Sequence, residues 1–301
     1  MANSLDKKLR AVLITGPTAG GKSAYALRRA RETGGVVINA DSMQVYDTLR
    51  VLTARPSDED MQGIEHSLYG HVAAGADYST GAWLRDAAAL IARLEGEGRL
   101  PVFVGGTGLY FKALTEGLAE MPEVPAEIRA HWRQALEDQG PEALHAILAD
   151  RDPVMAARLK PADGQRIVRA LEVKEASGRS IADYQAETPP PLIRPEAAEK
   201  VVILPERPVL HQRINARFSA MLDEGAVEEV KALLAFDLPP EMPVMRAIGV
   251  REIAAMLNGE MDREAVIERA SAATRQYAKR QMTWFRNQMG EDWKRLDPTA
   301  L

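Results

Sequence analysis

A glycine-rich segment near the start of this 301-residue chain restricts its fold more than any other feature. The segment, Gly16-Pro17-Thr18-Ala19-Gly20-Gly21-Lys22-Ser23, fits the pattern G-x-x-x-x-G-K-[ST] and lies between the apolar run at residues 12–14 and a helical stretch. In this context the pattern forms a phosphate-binding P-loop. The backbone N–H groups and the helix N-terminus face the phosphate, Lys22 neutralises charge, and the Ser23 hydroxyl can ligate Mg²⁺. The loop therefore predicts a site for a diphosphate or for a nucleoside triphosphate such as ATP.

Strand and helix patterns alternate in the first third of the chain. Apolar runs rich in β-branched residues occupy 11–15, 36–39 and 101–104, with helical patterns at 22–31 and 81–94. This alternation predicts an α/β fold with a P-loop NTPase-like parallel sheet flanked by helices. After residue 118 the pattern is helical and broken by prolines until 201–204. We therefore predict a catalytic core at 1–120 and 196–301 and a helical insertion domain at 121–195, whose exit, Pro189-Pro190-Pro191, cannot be helical.

Composition excludes several classes of protein. The chain has no cysteine, which excludes disulfides, thiolate zinc sites and a cysteine nucleophile, and its five histidines lack metal-ligand spacing. No apolar run approaches the roughly 20 residues that span a bilayer, so we expect a cytoplasmic protein without a membrane partner. The net charge of −5 argues against indiscriminate nucleic-acid binding but allows local basic patches. We expect a monomer.

A carboxylate follows the second predicted strand. Asp41 ends the run that leads into Asp41-Ser42-Met43-Gln44-Val45-Tyr46, which places it at the carboxyl edge of the sheet beside the P-loop. It can serve as a general base or as a hydrogen-bond acceptor for an amine nucleophile. A helix or turn cap and an outer Mg²⁺ ligand are equal alternatives from position alone.

A second glycine turn follows the strand at 101–104. In Val104-Gly105-Gly106-Thr107-Gly108-Leu109-Tyr110, Thr107 stands where it can cap the next helix. Two glycine turns at one sheet edge also let a ligand approach the backbone from both sides. We predict a site between them.

The C-terminal helical segment is basic. Arg275, Lys279 and Arg286 are spaced so that they share one helical face, whereas the apolar positions Val266, Ala270, Ala273, Tyr277 and Trp284 mark a face that packs on the core. A solvated charged face is the alternative, but cations without acidic partners in an acidic protein favour a contact with phosphate.

These segments together resemble the bacterial tRNA dimethylallyltransferase family, also called tRNA isopentenyltransferases. The resemblance extends over nearly the whole chain and rests most on Asp-Ser-Met-Gln-Val-Tyr at 41–46 and Thr-Arg-Gln-Tyr-Ala-Lys-Arg-Gln at 274–281. It implies a P-loop core, a helical insertion that grips the anticodon stem-loop of tRNA, and a channel. The target adenine enters that channel from one end and dimethylallyl diphosphate from the other.

The resemblance also implies residue roles. The P-loop residues Gly16, Pro17, Thr18, Ala19, Gly20, Gly21, Lys22 and Ser23 hold the donor diphosphate, with Mg²⁺ at Ser23. Asp41 accepts a proton from the exocyclic amine of the adenine, Thr107 orients the reacting groups, and Lys22 and Arg275 assist the diphosphate. The implied contacts with tRNA are Asp41, Ser42, Met43, Gln44, Thr107, Arg129, Gln165, Arg166, Ile167, Val168, Arg169, Arg246 and Arg251.

Three stretches depart from the family pattern. Thr53-Ala54-Arg55-Pro56 has arginine where the family usually has lysine, His66-Ser67-Leu68 lacks the second histidine, and Gly249-Val250-Arg251-Glu252 lacks the aromatic residue. These departures put in doubt any specific role for Arg55 or His66 and for an aromatic residue at position 250.

Other classes of protein share parts of this pattern. A small-molecule P-loop kinase would bind ATP at the same loop, but the chain has no short arginine-rich lid. A prenyltransferase acting on free adenine nucleotides would need no anticodon grip, and an RNA-binding module without catalysis would have no use for an intact Lys22, Ser23 and Asp41.

Overall fold

The computed structural model describes residues 9–298, which form two compact units. One unit comprises the described residues through Thr115 and from Leu192 onwards, and the other is Glu116–Pro191. Within the described part of the chain, no helix combines the length and the apolar character needed to cross a bilayer.

The first unit is built on a six-stranded sheet in which every pairing is parallel. Its strands stand in the order β3-β2-β4-β1-β5-β6. Their bounds are β1 Ala11–Thr15, β2 Val36–Asn39, β3 His66–Ser67, β4 Pro101–Gly105, β5 Ala198–Ile203 and β6 Lys294–Leu296. The predicted parallel α/β fold is therefore confirmed.

Twelve α-helices lie in the described residues. Their bounds are α1 Lys22–Thr33, α2 Asp58–Met61, α3 Thr80–Glu97, α4 Gly108–Glu116, α5 Ala126–Arg151, α6 Pro153–Arg158, α7 Gly164–Ser177, α8 Ile181–Ala186, α9 Arg207–Asp223, α10 Ala226–Leu234, α11 Val250–Leu257 and α12 Arg263–Gln288. Short 3-10 turns cover Pro195–Ala197 and Pro243–Arg246.

Both faces of the sheet are covered. Along β1, Leu13 joins a large cluster that includes Trp83 of α3 and Phe285 of α12, whereas Val12 and Ile14 join a second cluster with Tyr25 of α1. All five residues of β1 and of β4 are buried, which is why these strands read as continuous apolar runs rather than as alternating ones. This burial on both sides fixes the carboxyl ends of the strands as a rigid platform.

The second unit, Glu116–Pro191, consists of helices α5 to α8 around its own core. Trp132, Leu144 and Leu148 of α5 pack with Ile167 and Leu171 of α7. The helix α5 is kinked at Gly140, whose φ of 79° is followed by Pro141, a residue that cannot continue the hydrogen bonding of a helix. The unit begins and ends within a few residues of the predicted 121–195.

Two strands were missed from the sequence. The strand β3 has only two residues and β6 has the sequence Lys294-Arg295-Leu296, so neither shows an apolar period. Both lie at the edges of the sheet, where one neighbour is enough to define a strand. The chain after Pro208 is helical through Gln288, as predicted, before it returns to the sheet in β6.

Candidate active site

The loops after β1, β2 and β4 meet at the carboxyl edge of the sheet. They carry the P-loop, Asp41 and the second glycine turn, respectively. The turns are in close contact, because the Thr15 hydroxyl donates to the Gly105 carbonyl at 3.1 Å and a Cβ on Gly105 would lie 2.0 Å from the Ala40 carbonyl oxygen. The predicted assembly of these three loops at one edge is therefore what the structure contains.

The P-loop is held tightly against the sheet. Gly16 has a φ of 152°, and a Cβ there would lie 2.3 Å from the Ile203 carbonyl oxygen, so no side chain fits. The Lys22 ammonium donates to the Pro17 carbonyl at 2.6 Å. Burial lowers the pKa of Lys22 to about 8, the charge of Asp41 opposes this shift, and Arg217 adds to it. The ammonium is therefore oriented within the loop and crowded by other charges.

Asp41 is fixed by a network of hydrogen bonds. Its Oδ1 accepts from the Met43 N–H at 3.0 Å, and its own N–H donates to Asn39 Oδ1 at 2.9 Å. The Asn39 side chain also donates to the carbonyls of Asp41 and Leu68, each at 3.0 Å. The contact of Oδ1 with a backbone N–H is the turn cap that the sequence left open as an alternative. The cap uses Oδ1 and leaves Oδ2, so it is compatible with a chemical role for the carboxylate.

Thr107 does not cap the helix that follows it. Its hydroxyl oxygen accepts from the Ser42 N–H at 2.9 Å and lies 3.3 Å from the Ser42 hydroxyl. The backbone carbonyl of Thr107 instead accepts the Tyr110 N–H. The cap, which the sequence left open as an alternative, gives way to a contact with Ser42, and the side chain joins the second glycine turn to the Asp41 loop.

Two cavities meet at these loops. The P-loop cavity has a volume of about 310 Å³, and the apolar cavity has about 350 Å³. Both are lined by Thr18, Ala19, Asp41, Thr53 and Arg217. The P-loop cavity also contains Gly20, Gly21, Lys22, Ser23, Gln44, Tyr69 and Arg213, and the apolar cavity also contains Ser42, Met43, Leu52, Ile214, Phe218, Met221, Arg246, Ile248, Tyr277 and Arg280.

Two arginines of α9 line the P-loop cavity, and the sequence analysis missed both. Arg213 and Arg217 are four residues apart, so they share a face of the helix. Burial lowers the pKa of Arg217, and the negative charges of Asp41 and Glu224 oppose that shift. The spacing was visible in the sequence. The residues around Arg213 and Arg217 contain no motif that separates this pair from arginine pairs that face solvent on other helices.

Three phenols lie in the field of Asp41. Burial raises the pKa of Tyr69, Tyr110 and Tyr277, and in each case the charge of Asp41 raises it further. These side chains are therefore neutral hydrogen-bond donors at ordinary pH.

Arg275 is placed elsewhere. With Arg207, His211, Lys279 and Arg286 it lines a cavity of about 460 Å³, here called the basic groove, and it donates to Asn215 Oδ1. Lys279 and Arg286, which were predicted to share a helical face with Arg275, line the same groove. Among the described residues, the P-loop cavity is lined by Arg213 and Arg217 and not by Arg275. In the described residues the structure does not bring Arg275 together with the P-loop, where its contact with a diphosphate was predicted.

The other predicted contact residues of the core differ in position. Ser42, Met43 and Arg246 line the apolar cavity, whereas Arg251 is exposed on α11. Gln44 lines the P-loop cavity, but its amide donates to the carbonyls of Thr53 and Ala54, both at 2.9 Å.

Two residues at departures from the family pattern have structural partners. Arg55 donates to the carbonyls of Tyr46 and Asp47 at 3.1 and 3.0 Å. One ring nitrogen of His66, Nδ1, lies 2.8 Å from the Ile64 carbonyl oxygen. Both side chains thus stabilise loops around the site.

Only part of the predicted contact segment in the insertion unit is accessible. Gln165 and Arg166 are exposed, and the Arg166 guanidinium lies 3.5 Å from Asp163. Ile167 and Val168 are 0% and 7% exposed because they belong to the core of the unit, so their side chains cannot contact RNA as predicted. Arg169 pairs with Glu172 at 3.2 Å, and Arg129 lies on α5, partly exposed.

The protein oxygens at this site can hold Mg²⁺ only together with the oxygens of a bound phosphate group. Among residues 9–298 no cluster of three or more histidine or acidic side chains could hold a metal. Ser23 and Asp41 nevertheless line the same P-loop cavity. Mg²⁺ commonly takes one or two protein oxygens and completes its shell with water and phosphate oxygens, which these two residues allow.

Two family models match the chain. The model of IPP transferase matches residues 44–288, and that of isopentenyl transferase matches residues 9–70. A tRNA dimethylallyltransferase of Allorhizobium ampelinum is 65% identical over 300 residues, which cover 100% of this chain and 99% of that protein. The tRNA dimethylallyltransferase of Rhizobium meliloti is 64% identical over 302 residues, covering 100% of both.

Solved structures of similar proteins share the fold. The tRNA isopentenylpyrophosphate transferase from Bacillus halodurans has a TM-score of 0.68 and 32% identity, over 96% of this chain and 90% of that one. A eukaryotic dimethylallyltransferase acting on tRNA has a TM-score of 0.81 and 26% identity, over 97% of this chain and 75% of that one.

Proposed function

The chain belongs to the tRNA dimethylallyltransferase family, and from this membership we propose that it moves a dimethylallyl group from dimethylallyl diphosphate to the exocyclic amine of an adenine in tRNA. The target is the adenine on the 3′ side of the anticodon, and the other product is diphosphate. The enzyme is thus a prenyltransferase that modifies tRNA.

The meeting of two cavities at Asp41 is the observation that supports this proposal most directly. The P-loop cavity has the backbone N–H groups and cations that a diphosphate needs, whereas the apolar cavity has Met43, Phe218 and Tyr277 as walls for a flat base. A transferase that joins a donor and an acceptor requires two such compartments with a shared wall. A simple phosphate-binding protein would not require the second one, and the aromatic and apolar walls of that cavity suit a base as the acceptor.

Different residues would have different roles in the reaction. The P-loop, Lys22, Arg213 and Arg217 hold the diphosphate and stabilise the charge that develops as its oxygen leaves C1 of the dimethylallyl group. The adenine nitrogen forms the new bond to C1, and the electron pair of the broken C–O bond departs with diphosphate. Asp41 accepts the proton that the amine loses. Thr107, through its contact with Ser42, keeps the Asp41 loop in position.

Mg²⁺ is the cofactor in this proposal. Ser23 would hold it against the donor phosphates. The ion would supply positive charge beside the leaving diphosphate.

Polar and basic residues of the insertion unit and two arginines of the core would hold the tRNA. The exposed Gln165 and Arg166 of the insertion unit, together with Arg129 and Arg169, face the anticodon stem-loop in this proposal, and Arg246 and Arg251 contact it from the core. The target base must leave its stack to enter a cavity of this kind. The insertion, predicted at 121–195, would keep the loop open. We further propose that the enzyme is cytoplasmic and acts as a monomer.

Transfer of a labelled dimethylallyl group tests the proposal. Unmodified tRNA with an adenine next to the anticodon is incubated with the labelled diphosphate and Mg²⁺, with AMP as a parallel acceptor and ATP turnover as a third measurement. Label in tRNA alone supports the proposal. Label in AMP would indicate a nucleotide prenyltransferase, and turnover of ATP without RNA would indicate a kinase; either result would overturn it.

A further inference from the structure

A buried amide from α12 connects the two glycine turns of the site. Gln281 is only 6% exposed, its Oε1 accepts from the Thr18 N–H at 3.0 Å, and its Nε2 donates to the Gly106 carbonyl at 2.9 Å. Thr18 belongs to the P-loop and Gly106 to the turn after β4. One side chain thus spans from the loop that would hold the donor to the turn that carries Thr107.

The chemistry of both contacts fits an amide and no other common side chain of this length. A backbone N–H requires an acceptor and a carbonyl requires a donor, so the side chain must present one of each. Glutamate would place a second acceptor against the Gly106 carbonyl, and methionine would satisfy neither group. Buried polar groups left without a partner are costly, so the pair of contacts holds the turns at one separation.

The surrounding space is shaped for this contact. A Cβ on Gly106 would lie 2.3 Å from Gln281 Nε2 and 3.3 Å from Asp41 Oδ2. Because Gly106 has no side chain, the Gln281 amide and the Asp41 carboxylate can both lie close to the Gly106 Cα. Tyr277, one turn earlier on α12, lines the apolar cavity.

We propose that Gln281 is a positioning residue, which sets the distance between the P-loop and the second glycine turn and so aligns the donor carbon with the acceptor amine beside Asp41. This inference rests on the proposed function. Gln281 contacts backbone groups of both loops, and its effect on the reaction acts through them. Misalignment by about 1 Å can cost roughly a hundredfold in rate, so the step from bound substrates to product should suffer more than binding.

Steady-state kinetics of three variants test this role. Gln281→Met keeps the side-chain length and removes both hydrogen bonds. Gln281→Glu keeps the acceptor for Thr18 and can regain the donor for Gly106 only when its carboxyl is protonated. Gln288→Met is the matched control, because Gln288 is an exposed glutamine of the same helix that pairs with Lys112. For each, kcat, the KM for dimethylallyl diphosphate, the KM for tRNA and the melting temperature are measured.

We expect Gln281→Met to lower kcat by about tenfold or more while both KM values change by less than about threefold. The ratio of Gln281→Glu to wild-type kcat should rise as the pH is lowered towards about 6, where a raised carboxyl pKa allows protonation. Gln288→Met should behave as wild type.

Several results would overturn the inference. One is a kcat of Gln281→Met close to that of the wild type. Another is a loss of kcat in Gln281→Met that equals the fraction of unfolded enzyme at the assay temperature. A third is a rise in the KM of Gln281→Met for dimethylallyl diphosphate without a fall in kcat. Failure of the proposed function is distinct, because then the wild-type enzyme itself would transfer no label to tRNA.

Discussion

Asp41 and Arg217 line the same two cavities, although one follows a strand of the sheet and the other lies on α9. The carboxylate opposes the lowering of the guanidinium pKa that burial causes, so the two charges stabilise each other. In the proposed reaction, the negative group would take the amine proton and the positive group would face the leaving diphosphate, so both would act at one junction. This relationship connects acceptor chemistry with donor chemistry without a residue that must do both.

Replacing the carboxylate should abolish most of the turnover. Asp41→Asn retains an oxygen for the Met43 N–H but has no basic group for the amine proton, so kcat should fall on the order of a hundredfold or more. The affinity for tRNA, measured by filter binding, should stay near wild type. Asp47→Asn is the control, since Asp47 is an exposed aspartate of the next turn. Near-normal turnover of Asp41→Asn would remove Asp41 from the mechanism.

The features predicted well from the sequence are those fixed by local chemistry. The P-loop needs glycine where a Cβ would meet the Ile203 carbonyl, and a buried strand before it needs apolar residues on both faces. These requirements leave a signature in consecutive positions. For the same reason β1, β2 and β4 were found within a residue of their ends, whereas the two-residue β3 was not found.

The features that the sequence could not supply depend on distant parts of the chain. Arg217 and Gln281 reach the site because α9 and α12 pack against it. Arg217 belongs to no motif, and Gln281 ends the segment 274–281 without any local sign that its side chain contacts the P-loop. The resemblance predicts that Arg275 contacts the diphosphate. In the structure, Arg275 lies on the face of α12 that lines the basic groove. Thr107 precedes a helix as a cap would, but Ser42 from another loop binds its hydroxyl.

The affinity for dimethylallyl diphosphate should depend on Arg217 and not on Arg275. Arg217→Gln should raise the KM for dimethylallyl diphosphate by roughly 10–100-fold, the equivalent of about 1.5–3 kcal/mol for a hydrogen bond to a charged group. Arg275→Gln should leave it within about twofold, because Arg275 lies in the basic groove. Initial rates at varied concentrations of dimethylallyl diphosphate, with saturating tRNA and Mg²⁺, measure both KM values. Equal losses in the two variants would restore the assignment made from the sequence.

The salt dependence of tRNA binding should report on Arg166. A phosphate contact by this exposed side chain predicts that Arg166→Ala reduces the slope of log affinity against log salt by about 1, while donor binding is unchanged. Arg158→Ala, which removes an exposed arginine from α6 of the same unit, is the control. An unchanged slope for Arg166→Ala would return Arg166 to the solvated surface, paired only with Asp163.

The affinity for the donor should depend on pH through Lys22. Burial lowers the pKa of Lys22 to about 8 in the free enzyme, so the ammonium is charged below that pH and loses its proton above it. Because only the charged form attracts a diphosphate, the KM for dimethylallyl diphosphate should be constant at lower pH and should rise as the pH passes through about 8. Bound diphosphate adds negative charge and raises the pKa of Lys22, so kcat at saturating donor should be less sensitive than kcat/KM.

Lys22→Arg is the variant that checks this assignment. Arginine keeps its charge throughout the range, so the rise in KM near pH 8 should disappear even if the altered geometry raises KM at every pH. Profiles of kcat/KM for the donor, measured for both enzymes at constant ionic strength and saturating tRNA, make the comparison. A rise that persists in Lys22→Arg would assign the titration to another group, since the charge at position 22 would no longer change.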